Sequence, residues 1–270
     1  MSKPDSVLVV GSIAFDDLEM PSGSFPDVLG GAGTYSSMAA SLLAPSRLVG
    51  VVGVDFAESH LDMLRGRGID TTGVERAEGR TFRWKGRYAP DLMSRETLDT
   101  QLNVFADFDP KIPAAYKQSP FVMLGNIHPA LQVAVLDQVE RPKLVAADTM
   151  NFWISGQPEA LGAMLKRVDL LMINDEEARE LSGIQNIRKA ANDIRKRGPK
   201  HLIIKRGEHG ALLFDELGAF FVPAFPLEEV NDPTGAGDTF AGGLMGYLAR
   251  HGDASPYAVR RAMFFASALA

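Results

Sequence analysis

Between residues 121 and 206 short apolar runs alternate with amphipathic stretches, and this rhythm leaves few folds open. Pro120–Asn126, Lys143–Ala147, Asp169–Ile173 and His201–Lys205 are apolar runs of strand length bounded by turn residues. Pro129–Val139, Pro158–Arg167, Asn174–Leu181 and Ile187–Arg197 lie between or beside them and read as helices. Strands that are apolar throughout are covered on both faces, and a strand–helix–strand succession makes neighbouring strands parallel. The chain begins the same way, with strands at Ser6–Gly11 and Arg47–Gly53 and helices at Met38–Leu43 and Phe56–Arg67. It closes with strands at Ala211–Phe214 and Phe220–Pro223 and helices at Thr239–Leu248 and Tyr257–Ala270. The expectation is one doubly wound α/β domain over residues 1–270, a mostly parallel sheet with helices on both faces. The last helical pattern stops at Ala270 without a cap, so a further C-terminal part of the domain is expected after it.

Two stretches break the rhythm. Thr81–Tyr88 alternates aromatic or polar with basic residues, and Thr97–Phe105 has weaker strand character. With Phe15–Val28 they predict a small β-sheet appendage, from segments at about 13–29 and 80–106. It is either an edge hairpin or a lid that keeps water from a reacting group.

Composition narrows the function classes. Charged residues are 23% and hydrophobic residues 46% of the chain, ordinary values for a globular protein. A net charge of −6 argues against a nucleic-acid partner. With no cysteine there is neither a disulfide nor a thiolate nucleophile. Val7–Val10 is too short for a membrane span or a signal core, so no membrane partner is expected and the cytoplasm is the default location. Gly-Lys-Ser/Thr, His-Glu-x-x-His and Gly-x-Ser-x-Gly are all absent.

The chemistry concentrates in Asn231-Asp232-Pro233-Thr234-Gly235-Ala236-Gly237-Asp238-Thr239-Phe240-Ala241-Gly242-Gly243. Asp232-Pro233 is a turn signal, and Gly235-Ala236-Gly237 lets the backbone approach a ligand. A helix follows, so unpaired N–H groups and the positive end of the dipole converge on one spot, with the Asp238 carboxylate beside it. Amides that hold an anion, next to a carboxylate that takes a proton, suit phosphoryl transfer. The plainer reading is a helix start with packing glycines.

Other candidates carry a similar choice. Asp16 follows the first strand, where α/β sheets bind ligands, and either accepts hydrogen bonds from sugar hydroxyls or solvates a loop. Gly30-Gly31-Ala32-Gly33 lets a ligand approach closely; as a fragment of a dinucleotide fingerprint it is weak evidence for an NAD enzyme. Phe15, Tyr35 and Phe105 either stack on a base or sugar or pack in the core. Asn174 and Glu177 either hold the waters of a Mg²⁺ or cap a helix. Lys205 and Gly207 either border a nucleotide phosphate or end a solvated strand.

The order and spacing of these pieces resemble the ribokinase-like (PfkB) carbohydrate and nucleoside kinases along nearly the whole chain. The resemblance implies an ATP- and Mg²⁺-dependent transfer to a hydroxymethyl group of a sugar or nucleoside, with Asp238 as general base and the amides of Gly235, Ala236 and Gly237 as anion hole. Asp16, Gly30 and Gly31 would meet the acceptor, with Phe15, Tyr35 and Phe105 at its mouth. Asn174, Lys205, Gly207 and Thr234 would border ATP, and Glu177 with Asn174 would organise the metal through water. An ordinary aspartate pKa of about 3.9 would leave Asp238 ionised at neutral pH. A monovalent-cation site and a homodimer formed through the lid are further implications. Two departures touch acceptor or phosphate contacts: Tyr35 stands near a position where many members have asparagine, and Asp148-Thr149-Met150-Asn151-Phe152-Trp153 replaces Asp-x-Asn-x-Arg. Alternatives are a sugar-phosphate kinase, for which Arg83, Lys85 and Arg87 would bind the acceptor phosphate, and a non-catalytic sugar- or nucleotide-binding regulator on the same fold.

Overall fold

A computed structural model describes residues 4–92 and 94–270. In chain order the elements are β1 (Val7–Val10), β2 (Ala14–Met20), β3 (Gly23–Gly30), α1 (Ala32–Ser41), β4 (Ser46–Val52), α2 (Glu58–Gly66), β5 (Ile69–Arg76), β6 (Phe82–Tyr88) and β7 (Arg95–Gln101). There follow β8 (Phe121–Leu124), α3 (Pro129–Leu136), β9 (Leu144–Asp148), α4 (Asn151–Gly156), α5 (Pro158–Leu165), β10 (Leu170–Asn174), α6 (Asp175–Ser182), α7 (Ile187–Arg195) and β11 (His201–Lys205). The last are β12 (Ala211–Asp215), β13 (Gly218–Val222), α8 (Ala236–His251) and α9 (Pro256–Leu269). No helix among the described residues is long and apolar enough to cross a membrane.

The main sheet runs β13-β12-β11-β10-β9-β8-β1-β4-β5. It is parallel from β11 to β5, and β12 and β13 add antiparallel to one edge. Alternation along each strand divides its residues between two cores. Val7 and Val9 face one core with α1, α8 and α9, whereas Leu8 and Val10 face the other with α3, α5 and α7. From β1 the order proceeds outward through β4 on one side and β8 on the other, so the connections leave β1 and β8 in opposite directions. This is the switch point at which the carboxyl ends of the strands open a crevice.

A second sheet, β3-β2-β6-β7, stands beyond the carboxyl end of β1. Residues opposite one another share a face. Asp16 lies opposite Trp84, Leu18 opposite Gly86, and Tyr88 opposite Arg95, which defines an inner face. Phe15, Asp17 and Glu19 lie opposite Arg83, Lys85 and Arg87 on the outer face.

Some sequence expectations need correction. Ile69–Arg76 was not expected to form a strand, yet it is the edge of the main sheet; only Ile69 and Thr71 are buried there, so its residues show no apolar run. Asn151–Gly156 forms a short helix that the sequence reading did not assign. The strand expected to run to Phe105 ends at Gln101, and Asn103–Asp107 is a 3-10 turn. The helix expected from Met38 begins at Ala32.

Candidate active site

The site is built from two helix N-termini that the fold brings together. α1 and α8 cross so closely that a Cβ added at Gly242 would fall 2.1 Å from the Ser36 carbonyl oxygen, and one at Gly246 2.8 Å from that of Ala40. The small residues of α1 serve this crossing. The Ser36 hydroxyl donates to the Asp238 carbonyl at 3.0 Å, tying the first turn of α8 to α1.

At the head of α8 the turn is set by Gly235, whose φ of 74° lies in the left-handed region that favours glycine. A Cβ there would also strike the Tyr35 ring at 2.4 Å. Thr234 N–H donates to Asp232 Oδ1 at 2.8 Å and Ala236 N–H to the Pro233 carbonyl at 3.2 Å. Ala236 was expected in the anion hole, but its amide closes the turn. Among the described residues the amides of Gly235, Gly237 and Asp238 donate to no group, which leaves three free donors at the helix N-terminus. The Thr234 hydroxyl, expected near ATP, lies 2.9 Å from the Tyr88 hydroxyl of the small sheet.

Asp238 is half-buried in this turn. Burial, then the Asp148 carboxylate, push its pKa from an ordinary 3.8 to about 7, while Lys205 and Arg95 pull the other way. The expectation of a fully ionised Asp238 is therefore corrected. Asp16 is buried on the inner face of the small sheet, where a Cβ at Gly30 would lie 2.0 Å from its Oδ2. Its pKa is also pushed up to about 7, by burial first and then by Asp232, Asp238 and Asp17. Gly31 caps α1 with a φ of 95°. Tyr35 keeps its proton, because burial and then the fields of Asp16, Asp232 and Asp238 raise its pKa.

On the other side of Asp238, Lys205 Nζ donates to Asp148 Oδ2 at 3.1 Å, and a Cβ at Gly237 would stand 3.0 Å from Nζ. Burial opposes the Lys205 charge, but Asp148, Glu177 and Asp238 outweigh it and raise the pKa. Asp148, which heads the stretch that departs from Asp-x-Asn-x-Arg, was given no role of its own in the sequence reading; it stands at the end of β9, beside β10. Asn174 and Glu177 form a reciprocal capping box: Glu177 N–H donates to Asn174 Oδ1 at 2.8 Å, and Asn174 N–H to Glu177 Oε2 at 2.8 Å. Burial, then Asp148, raise the Glu177 pKa. Gly207 opens a 3-10 turn after Lys205.

The remaining expected residues are occupied by protein partners. Phe15 packs against Phe56 and His60 with centroids at 5.4 and 5.6 Å, and Phe105 stacks on Phe82 and Phe108 at 5.3 and 5.6 Å. Arg83 pairs with Asp27 and Asp17, Lys85 with Glu19 at 2.9 Å, and Arg87 with Glu19 at 2.7 Å. These basic residues, considered for an acceptor phosphate, neutralise the outer face of the small sheet, opposite Asp16.

The family model for pfkB family carbohydrate kinases matches residues 5–270. The chain belongs to this family. A cytidine kinase of Thermococcus kodakarensis is 30% identical over 251 residues, which cover 90% of this chain and 88% of that protein. Two solved structures share the fold. The Methanocaldococcus jannaschii nucleoside kinase superposes with a TM-score of 0.79 at 18% identity, over 99% of this chain and 91% of that one. A probable sugar kinase from Rhizobium etli gives 0.81 at 17% identity, over 98% and 93%. PfkB membership carries the general activity, ATP-dependent phosphoryl transfer to a sugar or nucleoside.

Proposed function

We propose that this pfkB-family protein transfers the γ-phosphoryl group of ATP to the hydroxymethyl group of a ribose-bearing acceptor, a nucleoside. The observation that carries the reading is the head of α8, where three unpartnered amides converge beside Asp238 and Lys205 stands against Gly237. The acceptor oxygen gives its proton to the Asp238 carboxylate and forms a bond to phosphorus. The bond from phosphorus to the bridging oxygen of ADP breaks, leaving a phosphate ester and ADP. The free amides and the Lys205 ammonium offset charge on the moving group. Asp16 accepts hydrogen bonds from ribose hydroxyls, and the Tyr35 phenol donates at the same mouth.

The described residues contain no group of three or more His, Cys, Asp or Glu side chains placed to hold a metal by themselves. That suits Mg²⁺, which keeps waters and takes its other ligands from phosphates. Glu177 commits Oε2 to the capping box, so its other oxygen would hold a metal-bound water, and Asn174 would orient it. Held there by Asn174 and Glu177 through water, Mg²⁺ would supply positive charge to offset that of the ATP phosphates.

Two observations favour a nucleoside over a sugar phosphate: the likeness to a cytidine kinase over most of both chains, and the neutralised Arg83, Lys85 and Arg87. The test measures ADP release with Mg²⁺ and ATP over a panel of nucleosides, free sugars and sugar phosphates. Turnover is expected with nucleosides, cytidine among them. Asp238→Asn should lower kcat by roughly 10²–10⁴-fold, the range for a general base. Near-normal turnover of that variant removes the general-base role, and no ADP release with any acceptor favours a non-catalytic binding protein.

A further inference from the structure

The small sheet carries one guanidinium that its own carboxylates leave alone. Arg83 and Arg87 are paired on the outer face. Arg95, at the start of β7, forms no ion pair among the described residues and is exposed. It lies opposite Tyr88 on the inner face, the face of Asp16.

Its surroundings hold it in place. A Cβ at Gly86 would fall 2.0 Å from the Trp84 ring, so the indole lies across β6 in the space the glycine leaves. Trp84 Nε1 donates to Thr97 Oγ1 at 3.2 Å, which fixes the ring. The Arg95 guanidinium sits over that indole, 5.8 Å from the ring centroid, a cation–π arrangement. The neighbouring Tyr88 reaches Thr234 in the phosphate-binding turn at 2.9 Å. Arg95 is also the smallest of the influences on the Asp16 and Asp238 carboxyls, in each case favouring the charged form. A guanidinium stacked on an indole, with no ion pair among the described residues and opposite the tyrosine that reaches Thr234, is placed for an anion that arrives with substrate.

We propose that Arg95 is a further catalytic residue, a lid-borne arginine that contacts the transferring phosphoryl group once the lid is over the site. This rests on the kinase reading above. Lys205 divides its charge between Asp148 and the phosphoryl group, so Arg95 adds positive charge to meet what the phosphoryl oxygens gain as the bond to ADP loosens. The same chemistry would meet a phosphate on the acceptor; the structure favours the transferred group because Tyr88 ties this end of the lid to the turn at the head of α8.

The experiment compares the parent with Arg95→Ala, Arg95→Lys and, as a control for lid integrity, Arg87→Ala. With phosphate-free acceptors Arg95→Ala should lose kcat by about 10²-fold, less than the roughly 10³–10⁵ of an arginine finger because Lys205 remains. Acceptor KM should change by less than about threefold, Arg95→Lys should keep part of the rate, and Arg87→Ala should match the parent. Added guanidinium ion should restore part of the Arg95→Ala rate, which no purely structural role would allow. Tripolyphosphate binding, read without acceptor or turnover, should weaken about tenfold in Arg95→Ala, a charge-assisted contact of ordinary strength. Parent-like kcat together with parent-like tripolyphosphate binding overturns the proposal, as does a loss confined to phosphorylated acceptors. Failure of the kinase reading shows separately, as a parent that binds tripolyphosphate through Arg95 but turns over no acceptor.

Discussion

At neutral pH Asp238 stands near the middle of its own titration, because burial and Asp148 oppose its charge while Lys205 and Arg95 favour it. A base must be ionised to take a proton, so kcat/KM should climb as pH rises through about 7 and level off above it. A rate profile from about pH 5 to 9 checks this, and Asp238→Asn should lack the limb. Asp16 titrates in the same window and bears on stability. Its folded pKa is about 7 against 3.8 for an ordinary aspartate, so between those values the native state keeps a proton that the unfolded chain has released. Stability therefore falls as pH rises through that window and stays lowered above it. Asp16→Asn should be more stable than the parent at about pH 8, by ~2–4 kcal/mol, with the difference fading toward pH ~4. Denaturant melts at the two pH values read it, and acceptor KM should rise in the same variant. The turn at the head of α8 was legible because its residues are local: proline, glycines and an acid stand in one run. The pairing of Asp148 with Lys205 and the place of Arg95 were not, since they link strands that sequence spacing does not join.

At the level of elements, the crossing of α1 and α8 holds their two N-termini in register. Gly242→Ala puts a methyl group against the Ser36 carbonyl, in a contact with no slack. The variant should lose about 1–3 kcal/mol, the usual cost of overpacking, and its kcat should fall because Asp238 moves with its helix. Thermal melts and steady-state rates on one preparation test both. The helix-start glycines were visible in the sequence, but not that a second helix lies on Gly242. β5 was missed because an edge strand with a wet face shows no apolar run, whereas β8 to β11 were legible because both of their faces are covered.

Over the whole molecule, the doubly wound sheet puts its switch point beneath a small sheet that reaches back to the phosphate turn through the Tyr88–Thr234 contact. Tyr88→Phe removes that contact and leaves the fold intact. ATP hydrolysis without acceptor should rise severalfold relative to transfer, since a loosened lid admits water; the ratio of phosphate release to ester formation measures it. The small sheet was legible as a break in the rhythm of the chain. Its attachment was not, because Tyr88 and Thr234 are far apart in sequence and meet only in the folded chain.

The two helix heads also behave as one bracket. Tyr35 rests on Gly235, Ser36 grips Asp238, and Gly242 and Gly246 bring the backbones together, so the distance between the two helix heads is fixed by the hardest part of the molecule. On the proposed function, an acceptor with a longer arm would not be fitted by stretching that gap. Libraries meant to change the acceptor therefore belong in the strands at 14–30 and 82–101, which form the separate sheet, and not in α1 or α8.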